Sequence, residues 1–401
     1  MKTQGRDKNV VFLSGARTGF GTFGGTLKDF SATKLGAIAA RHAVERSGVD
    51  AGSFDHAVFG NAQQTSADAI YLARHVALQS GLPTETPAVT VNRLCGSGFE
   101  AIIQGAQQIL LDESRCVLAG GSESMSQAPH VVRGARWGLR LGPVGQFEDS
   151  LWEALTDPQC GCSMAETAEN LAEKYKLERK EVDQVALRSQ QKAKQAWDAC
   201  IFEEEVVPVP VKDRKTRKEI DWRADEHMRP DTTLEVLMSL KPYFKKDGLV
   251  TAGNASGICD GAAAAVISSE DFAKANGLEP MGRLIGWAVV GVEPKYMGIG
   301  PAPAIRKLLE KVRMELGDVD LFEVNEAFAP QYLAVEKELG LDRDKTNVHG
   351  GAIAIGHPLA ASGARITIHL LNALRQSGKQ YGIGSACIGG GQGAALLVEA
   401  L

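Results

Sequence analysis

Four places along the chain carry side chains suited to nucleophilic and acid–base chemistry. In VNRLCGSGFEA, residues 91–101, Cys95 stands between a β-branched apolar run (Pro87 to Val91) and apolar residues at Phe99, Ile103, Ala106 and Leu110, the spacing of one helical face. The spacing predicts a strand, a turn holding Cys95, and a helix over 99–111. Unpaired N–H groups and the positive end of a helix dipole favour a thiolate at such a turn. Gly96, Ser97 and Gly98 leave room for a substrate beside the backbone. Free cysteine is more often a small buried hydrophobe, so this candidate nucleophile needs a partner base. GGAIAIGHPLAASGAR offers His357, set among Gly350, Gly351, Gly356 and Gly363 in a stretch too rich in small residues for plain core. GSACIGGGQG ends a buried-type strand on a second thiol, Cys387, and its glycines repeat the pattern at Cys95. FEVNEAFAPQ places Asn325 and Glu326 at a strand end, where polar groups need a structural or catalytic purpose. Each has an ordinary structural reading alone; their joint occurrence points to one site.

The chain that must position these groups has 401 residues, 44% hydrophobic and 23% charged, enough for two or three domains with ample core. A net charge of -5 gives no wholesale attraction to nucleic acid or membrane. Seven cysteines, an odd number spread over a long chain, do not form a disulfide framework. Cys160 and Cys162 in CGC lack a matching ligand pair, so no metal site is expected. The N-terminal stretch MKTQGRDKNVVFLSG is too briefly apolar for a secretory signal, and no run is long enough to span a bilayer. The expected compartment is reducing and soluble: the cytoplasm, or the mitochondrial matrix in a eukaryote.

NVVFLSG, HAVFGNA, AVTVN and CVLAGG read as short strands separated by helices, an α/β pattern. Ser31 is placed to cap a helix from Ala32 to Arg46, with Gly48 just past its end. From Met125 to Val250 the character changes. Arg133, Arg136 and Arg140 fall in a Gly- and Pro-bearing loop, polar amphipathic helices follow near Met164–Tyr175 and Glu178–Ala199, and KDRKTRKEIDWRADEHMRPD is strongly charged. Strand patterns resume with AAAAVISS and continue through RLIGWAVVG, LFEVN, TNVHGG, YGIGSACIG and AALLVEAL. CGSGFEAIIQGAQQILLDESRCVLAGGSES and ASGARITIHLLNALRQSGKQYGIGSACIGGGQG share one plan of Ser-Gly turn, helix, polar break, strand and glycines. Two similar α/β halves are the simplest architecture. The division expected is a first half over 1–124 completed by 251–278, a loop domain over 125–250, and a second half over 279–401. Gly19, Gly21 and Gly24 match a dinucleotide-binding spacing, but no acidic strand end follows about twenty residues on, and NAD binding is rejected.

VNRLCGSGF, GGSESMSQAP, TAGNASGICDGAAA, VNEAFAPQYLA, NVHGGAIAIGHP and CIGGGQGAA together make the chain resemble the thiolases along essentially its whole length. TLKDFSATKL, SADAIYLARHVAL and DEHMRPDTTLE are most similar to the 3-ketoacyl-CoA thiolases of fatty-acid β-oxidation, with biosynthetic acetoacetyl-CoA thiolases as close cousins. The resemblance implies two similar βαβαβαββ halves in a five-layered α/β/α/β/α body with an inserted loop domain, assembled as a homodimer or, more often, a homotetramer. It implies a reversible, coenzyme A-dependent cleavage of 3-ketoacyl-CoA with no prosthetic group, the substrates being 3-ketoacyl-CoA, CoA and acetyl-CoA. Cys95 would be the acylated nucleophile, His357 its activating base and Cys387 the acid/base at the α-carbon. Asn325 would hold a water that, with His357, forms one oxyanion hole, and the N–H groups of Cys95 and Gly389 would form the other. Coenzyme A contacts would come from Leu151, Met164, Arg229, Phe244, Ala252, Ser256 and Phe328, and Met297 would line the acyl pocket. Three positions depart from the family: His349 replaces a common asparagine, Ala360 a common glycine, and Ser163 a histidine frequent in biosynthetic members.

The chemistry of the residues agrees with these roles. Cleaving a 3-ketoacyl thioester needs a soft nucleophile at the 3-keto carbon, and loss of the acetyl-CoA enolate needs donors at oxygen and an acid at carbon. A decarboxylating ketoacyl synthase would use one cysteine with two histidines, and a cysteine hydrolase would need no second thiol. A thiolase-like CoA- or lipid-binding protein without catalysis would not need all four catalytic side chains.

Overall fold

A strand with every residue buried must be covered on both faces. Val10–Thr18 (β1) is such a strand in the computed structural model, which describes residues 3, 8–139, 141, 146–213 and 216–401. Its side chains alternate between two cores, Val10 and Phe12 facing one, Val11 and Leu13 the other. Arg140 lies outside the described residues.

Five main strands form the first sheet, β1, β2 (His56–Gly60), β3 (Ala88–Val91), β4 (Cys116–Ser124) and β5 (Cys259–Ser269), with two-residue strands at Gly21–Thr22 and Val206–Val207 paired to β5 and β1. Their order is β3-β2-β4-β5-β1, with β2 parallel to β3 and β4, and β5 antiparallel to β4 and β1. The second sheet has β6 (Gly282–Gly291), β7 (Leu321–Val324), β8 (Tyr381–Ile388) and β9 (Gln392–Ala400) in the order β7-β8-β9-β6. β7 runs parallel to β8, and β9 is antiparallel to β8 and β6. The two sheets repeat one topology. The missing member is TNVHGG, expected as a strand. Thr346 bridges Phe322 in parallel where a third strand would lie, but only as an isolated bridge. The Asn347 side chain does the work of the ladder there, accepting Val324 N–H at 2.8 Å and donating to Val324 C=O at 2.9 Å. β1 and β6 pair over Val10–Phe12 and Gly282–Leu284, which joins the sheets edge to edge.

The helices that cover these sheets are α1 (Ala32–Ser47), α2 (Leu72–Gln79), α3 (Ser97–Leu110), α4 (Met164–Lys174), α5 (Arg179–Asp198), α6 (Pro301–Val312), α7 (Ala329–Leu339) and α8 (Ser362–Ser377). In α1 the Ser31 side chain accepts the Lys34 N–H, and Gly48 at φ 68° ends the helix. α3 and α8 lie between the sheets: Phe99, Ile102, Ile366 and Leu370 share one core with Phe12, Ile267, Leu284 and Leu396 from both. α1 and α2 cover the far face of the first sheet, α6 and α7 that of the second. The layers therefore run α/β/α/β/α.

α3 and α8 cross at their N-termini with backbone against backbone. A Cβ on Gly98 would stand 2.5 Å from Ala364 N, and one on Gly363 would stand 2.3 Å from Phe99 N. This is why both Ser-Gly pairs occur where they do. The crossing brings the turn before α3 and the turn before α8 together.

The chain between β4 and β5 lies over both halves. α4 and α5 pack on the second half through Ala172, Val182 and Val185, while Val209 and Val211 join the core outside the first sheet. A buried ionic chain pins this segment. Arg17 holds Glu205 at 2.7 Å and Asp225 at 2.8 Å, His369 Nδ1 bonds Glu205 at 2.9 Å, and His349 Nδ1 lies 3.1 Å from His369 Nε2. Burial alone raises the Glu205 carboxyl, but the charges of His369 and Arg17 outweigh it and hold it at about 2. No helix among the described residues is long and apolar enough to cross a membrane.

Candidate active site

The turn after β3 carries Cys95. Leu94–Gly96 form a single 3-10 turn, and α3 starts at Ser97, two residues before the apolar spacing indicates. Leu94 has φ 47°, a left-handed conformation that costs an L-residue about 1–2 kcal/mol. Neighbouring bonds hold it: Asn92 Oδ1 accepts Leu94 N–H at 2.9 Å, and the Ser97 hydroxyl donates to Leu94 C=O at 2.7 Å. Arg93 anchors the turn through Glu100 at 2.8 Å and Gln392 at 3.0 Å. Cys95 is thereby turned into a cavity.

Its thiol differs from the expectation of a lowered pKa. Burial pushes it up to about 11, although the N–H groups of Gly389 and of Cys95 itself face the sulfur and pull the other way. The side chain is only partly covered by area and opens onto the cavity, where desolvation outweighs the helix N-terminus. The Cys95 thiol is therefore held in its neutral form.

His357 is 5% exposed and follows the short helix Ala352–Ile355. Burial first, then the charge of Arg365, lowers its imidazole to about 3, so it too is neutral at working pH. Its Nδ1 lies 2.6 Å from Ser362 Oγ. Asn325, at the end of β7, sets its Nδ2 3.4 Å and 3.5 Å from Nε2 and Nδ1 of His357, while its Oδ1 is buried without a hydrogen-bond partner among the described residues. Glu326 next to it is structural. It accepts from Ser189 at 2.6 Å, Asn347 at 2.9 Å and Ile353 N–H at 3.3 Å, and so ties the 350–353 loop in place.

Cys387 near the end of β8 is 1% exposed and packs with Met297 and Ala327, flanked by Met164 and Phe328. Burial, and then the proximity of Cys95, raise its thiol far above the usual range. A cavity of about 480 Å³ joins these groups. Cys95, His357, Cys387, Gly389, Met297, Met164, Phe244, Ala252, Ser256 and Phe328 all line it. Three sequence-selected residues do not. Asn325 reaches it only through His357, and Leu151 is buried behind it with Met125 and Leu359. Arg229 turns its guanidinium back onto the carbonyls of Glu226, His227 and Met228. The sequence reading missed Trp152, Lys241, Tyr243, His227 and Leu359 among the lining residues. An aromatic pair exposed at 49% and 78%, Trp152 and Tyr243, carried no pattern that could mark it in advance. Ser163 lines the cavity as well, but its hydroxyl caps α4 by accepting Glu166 N–H at 3.2 Å. No cluster of three or more metal-ligating side chains occurs among the described residues.

Comparison with known proteins agrees with this geometry. Residues 10–271 match the thiolase N-terminal domain and residues 278–400 the thiolase C-terminal domain. The human mitochondrial 3-ketoacyl-CoA thiolase is 54% identical over 392 residues, covering 98% of each chain. The beta-ketothiolase BktB of Cupriavidus necator is 45% identical over 393 residues, 98% of this chain and 99% of the other. The crystal structure of the human enzyme in complex with CoA superposes with a TM-score of 0.95 at 53% identity, covering 98% of both chains. That of the Bacillus anthracis acetyl-CoA acetyltransferase gives 0.95 at 48%, covering 98% and 99%. With matched domains over both halves and relatives this similar from end to end, the chain belongs to the thiolase family.

Proposed function

We propose that the protein cleaves 3-ketoacyl-CoA with CoA, releasing acetyl-CoA and an acyl-CoA two carbons shorter, through an acyl-Cys95 intermediate. The observation that carries this reading is the meeting of the Cys95 and Cys387 thiols with the His357 imidazole in a single, largely apolar cavity that His227 also lines. With the thiol and the imidazole both neutral at rest, the Cys95 proton passes to His357 only as the sulfur attacks the 3-keto carbon, so that transfer and attack are coupled. The C2–C3 bond then breaks, the electron pair passes to the departing enolate, and Cys387 gives its proton to C2. A thiol whose pKa burial has raised keeps that proton until the carbanion develops. In the second half-reaction CoA loses its thiol proton to the Cys387 thiolate and attacks the thioester. Cys95 leaves and recovers a proton from the His357 imidazolium.

The N–H groups of Cys95 and Gly389, which already face the Cys95 sulfur, supply donors for an oxyanion there. The unpartnered Asn325 Oδ1 next to His357 supports a water as the second donor. Coenzyme A enters past Phe244, Ala252, Ser256 and Phe328, under a lid formed by residues 125–250, with the acyl chain on Met297; Leu151 and Arg229 support this entrance from behind the lining. The assembly proposed is a homotetramer, supported by Trp137, Leu139 and Phe147, which stand 86%, 57% and 70% exposed in the lid. No prosthetic group takes part in any step. The apolar lining favours degradation of substrates longer than acetoacetyl over condensation of two acetyl-CoA.

Thiolysis of a series of 3-ketoacyl-CoA esters tests the proposal. Two thioester products are expected in equal amounts, with kcat/KM higher for longer chains than for acetoacetyl-CoA. A protein that leaves every member intact in the presence of CoA, or that produces free acid, contradicts it.

A further inference from the structure

The two halves carry the same hydroxyl device at the crossing of α3 and α8, and one copy of it holds His357. In the first half the Ser97 hydroxyl donates to Leu94 C=O at 2.7 Å and accepts the Arg93 N–H at 2.8 Å, roles that the backbone partners leave no choice about. In the second half the Ser362 hydroxyl lies 3.0 Å from Pro358 C=O and 2.6 Å from His357 Nδ1. Ser362 is 1% exposed, so both of its bonds are made inside the protein.

A serine hydroxyl has one proton, and a carbonyl can only accept. Pro358 C=O also takes the N–H groups of Ala361 and Ser362, at 3.0 Å and 3.2 Å; in the arrangement that repeats Ser97 and Leu94, the Ser362 hydroxyl donates to Pro358 as well, and the proton on the 2.6 Å bond comes from the imidazole. A neutral imidazole has one N–H. With that N–H at Nδ1, Nε2 carries the free lone pair. We propose that Ser362 is a positioning residue that fixes His357 as the Nδ1–H tautomer and so keeps Nε2 ready to receive the Cys95 proton. Asn325 does not make this choice, because its amide stands almost equally far from both ring nitrogens. Arg365 acts on the ring as a whole through its charge. The orienting role that a carboxylate fills in a Ser-His-Asp triad falls here to a neutral hydroxyl held by a backbone carbonyl.

The inference rests on the thiolase reading, but its main readout needs no turnover. Two-bond ¹H–¹⁵N correlation spectra of protein labelled at histidine, with His357 assigned through His357→Gln, report the tautomer at pH 7.5 without substrate. The wild type is expected to show His357 protonated at Nδ1 and bare at Nε2. Ser362→Ala should lose that preference and lower kcat about 10- to 100-fold, with KM changed less than twofold. Ser362→Thr, which restores the hydroxyl, should recover the tautomer and most of kcat. A wild-type His357 protonated at Nε2 overturns the proposal whatever the variants do. So does a Ser362→Ala protein that keeps the Nδ1–H tautomer. Failure of the thiolase reading is a separate result, seen as absent turnover in the wild type.

Discussion

At the residue scale, the four side chains singled out by type and spacing meet as a group, and three of them share one cavity wall. Cys95 was legible because a thiol among glycines at a strand-to-helix turn has few structural uses. Its protonation state was not legible. Sequence shows the helix N-terminus that lowers a thiol pKa, but not the cavity whose desolvation overrides it. Ser362 was passed over for a similar reason: a Ser-Gly pair reads as a turn until the bond to His357 is seen. Cys387 gives the residue-scale prediction. Acetylation of Cys95 by acetyl-CoA requires no base at carbon, whereas enolising a second acetyl-CoA does. Cys387→Ala should therefore still form acetyl-Cys95 yet lose exchange of the acetyl-CoA methyl hydrogens in deuterated water by roughly two to four orders of magnitude. NMR of the acetyl methyl group follows that exchange, and wild-type exchange in the variant would mark Cys387 as a packing thiol.

At the element scale, the strands and capped helices of the first half follow their sequence patterns closely, as at Ser31 and Gly48 of α1. TNVHGG does not become a strand, because the Asn347 side chain satisfies Val324 in place of a backbone ladder, a substitution that periodicity cannot reveal. The same segment carries His349, one of the departures from the family. Burial, and then the charge of His369, lower its imidazole to about 4 from the ordinary 6.5. Between these values the unfolded chain binds a proton that the folded chain does not. His349 thus favours folding fully above pH 6.5, and that contribution is lost as pH falls toward 4. In His349→Asn the loss of Tm between pH 7.5 and pH 4.5 should be smaller than in the wild type. Calorimetry at both pH values decides it, and equal losses in the two proteins would remove His349 from the acid response.

At the scale of the whole molecule, the internal echo in the sequence has a mechanical cause. Each half needs a glycine as the second residue of its central helix so that α3 and α8 cross backbone to backbone. That requirement was visible in one chain without alignment, and with it the duplicated topology. The seating of the segment between β4 and β5 was not visible. It depends on Arg17, Glu205, Asp225 and His369, which lie far apart in sequence and meet only in the fold. The proposed assembly predicts a particle of four chains in sedimentation velocity at micromolar concentration, and a monomer there would contradict it.

The central claim is that a 3-ketoacyl-CoA is cut by transfer of its acyl group to Cys95. Mixing the protein with a 3-ketoacyl-CoA in the absence of CoA isolates that half-reaction, and intact-mass analysis with peptide mapping reads it directly. One equivalent of acetyl-CoA is expected to be released, with an acyl group two carbons shorter than the substrate left on Cys95, discharged when CoA is added and absent from Cys95→Ser. An acyl group on another residue, or one that persists in Cys95→Ser, would contradict it.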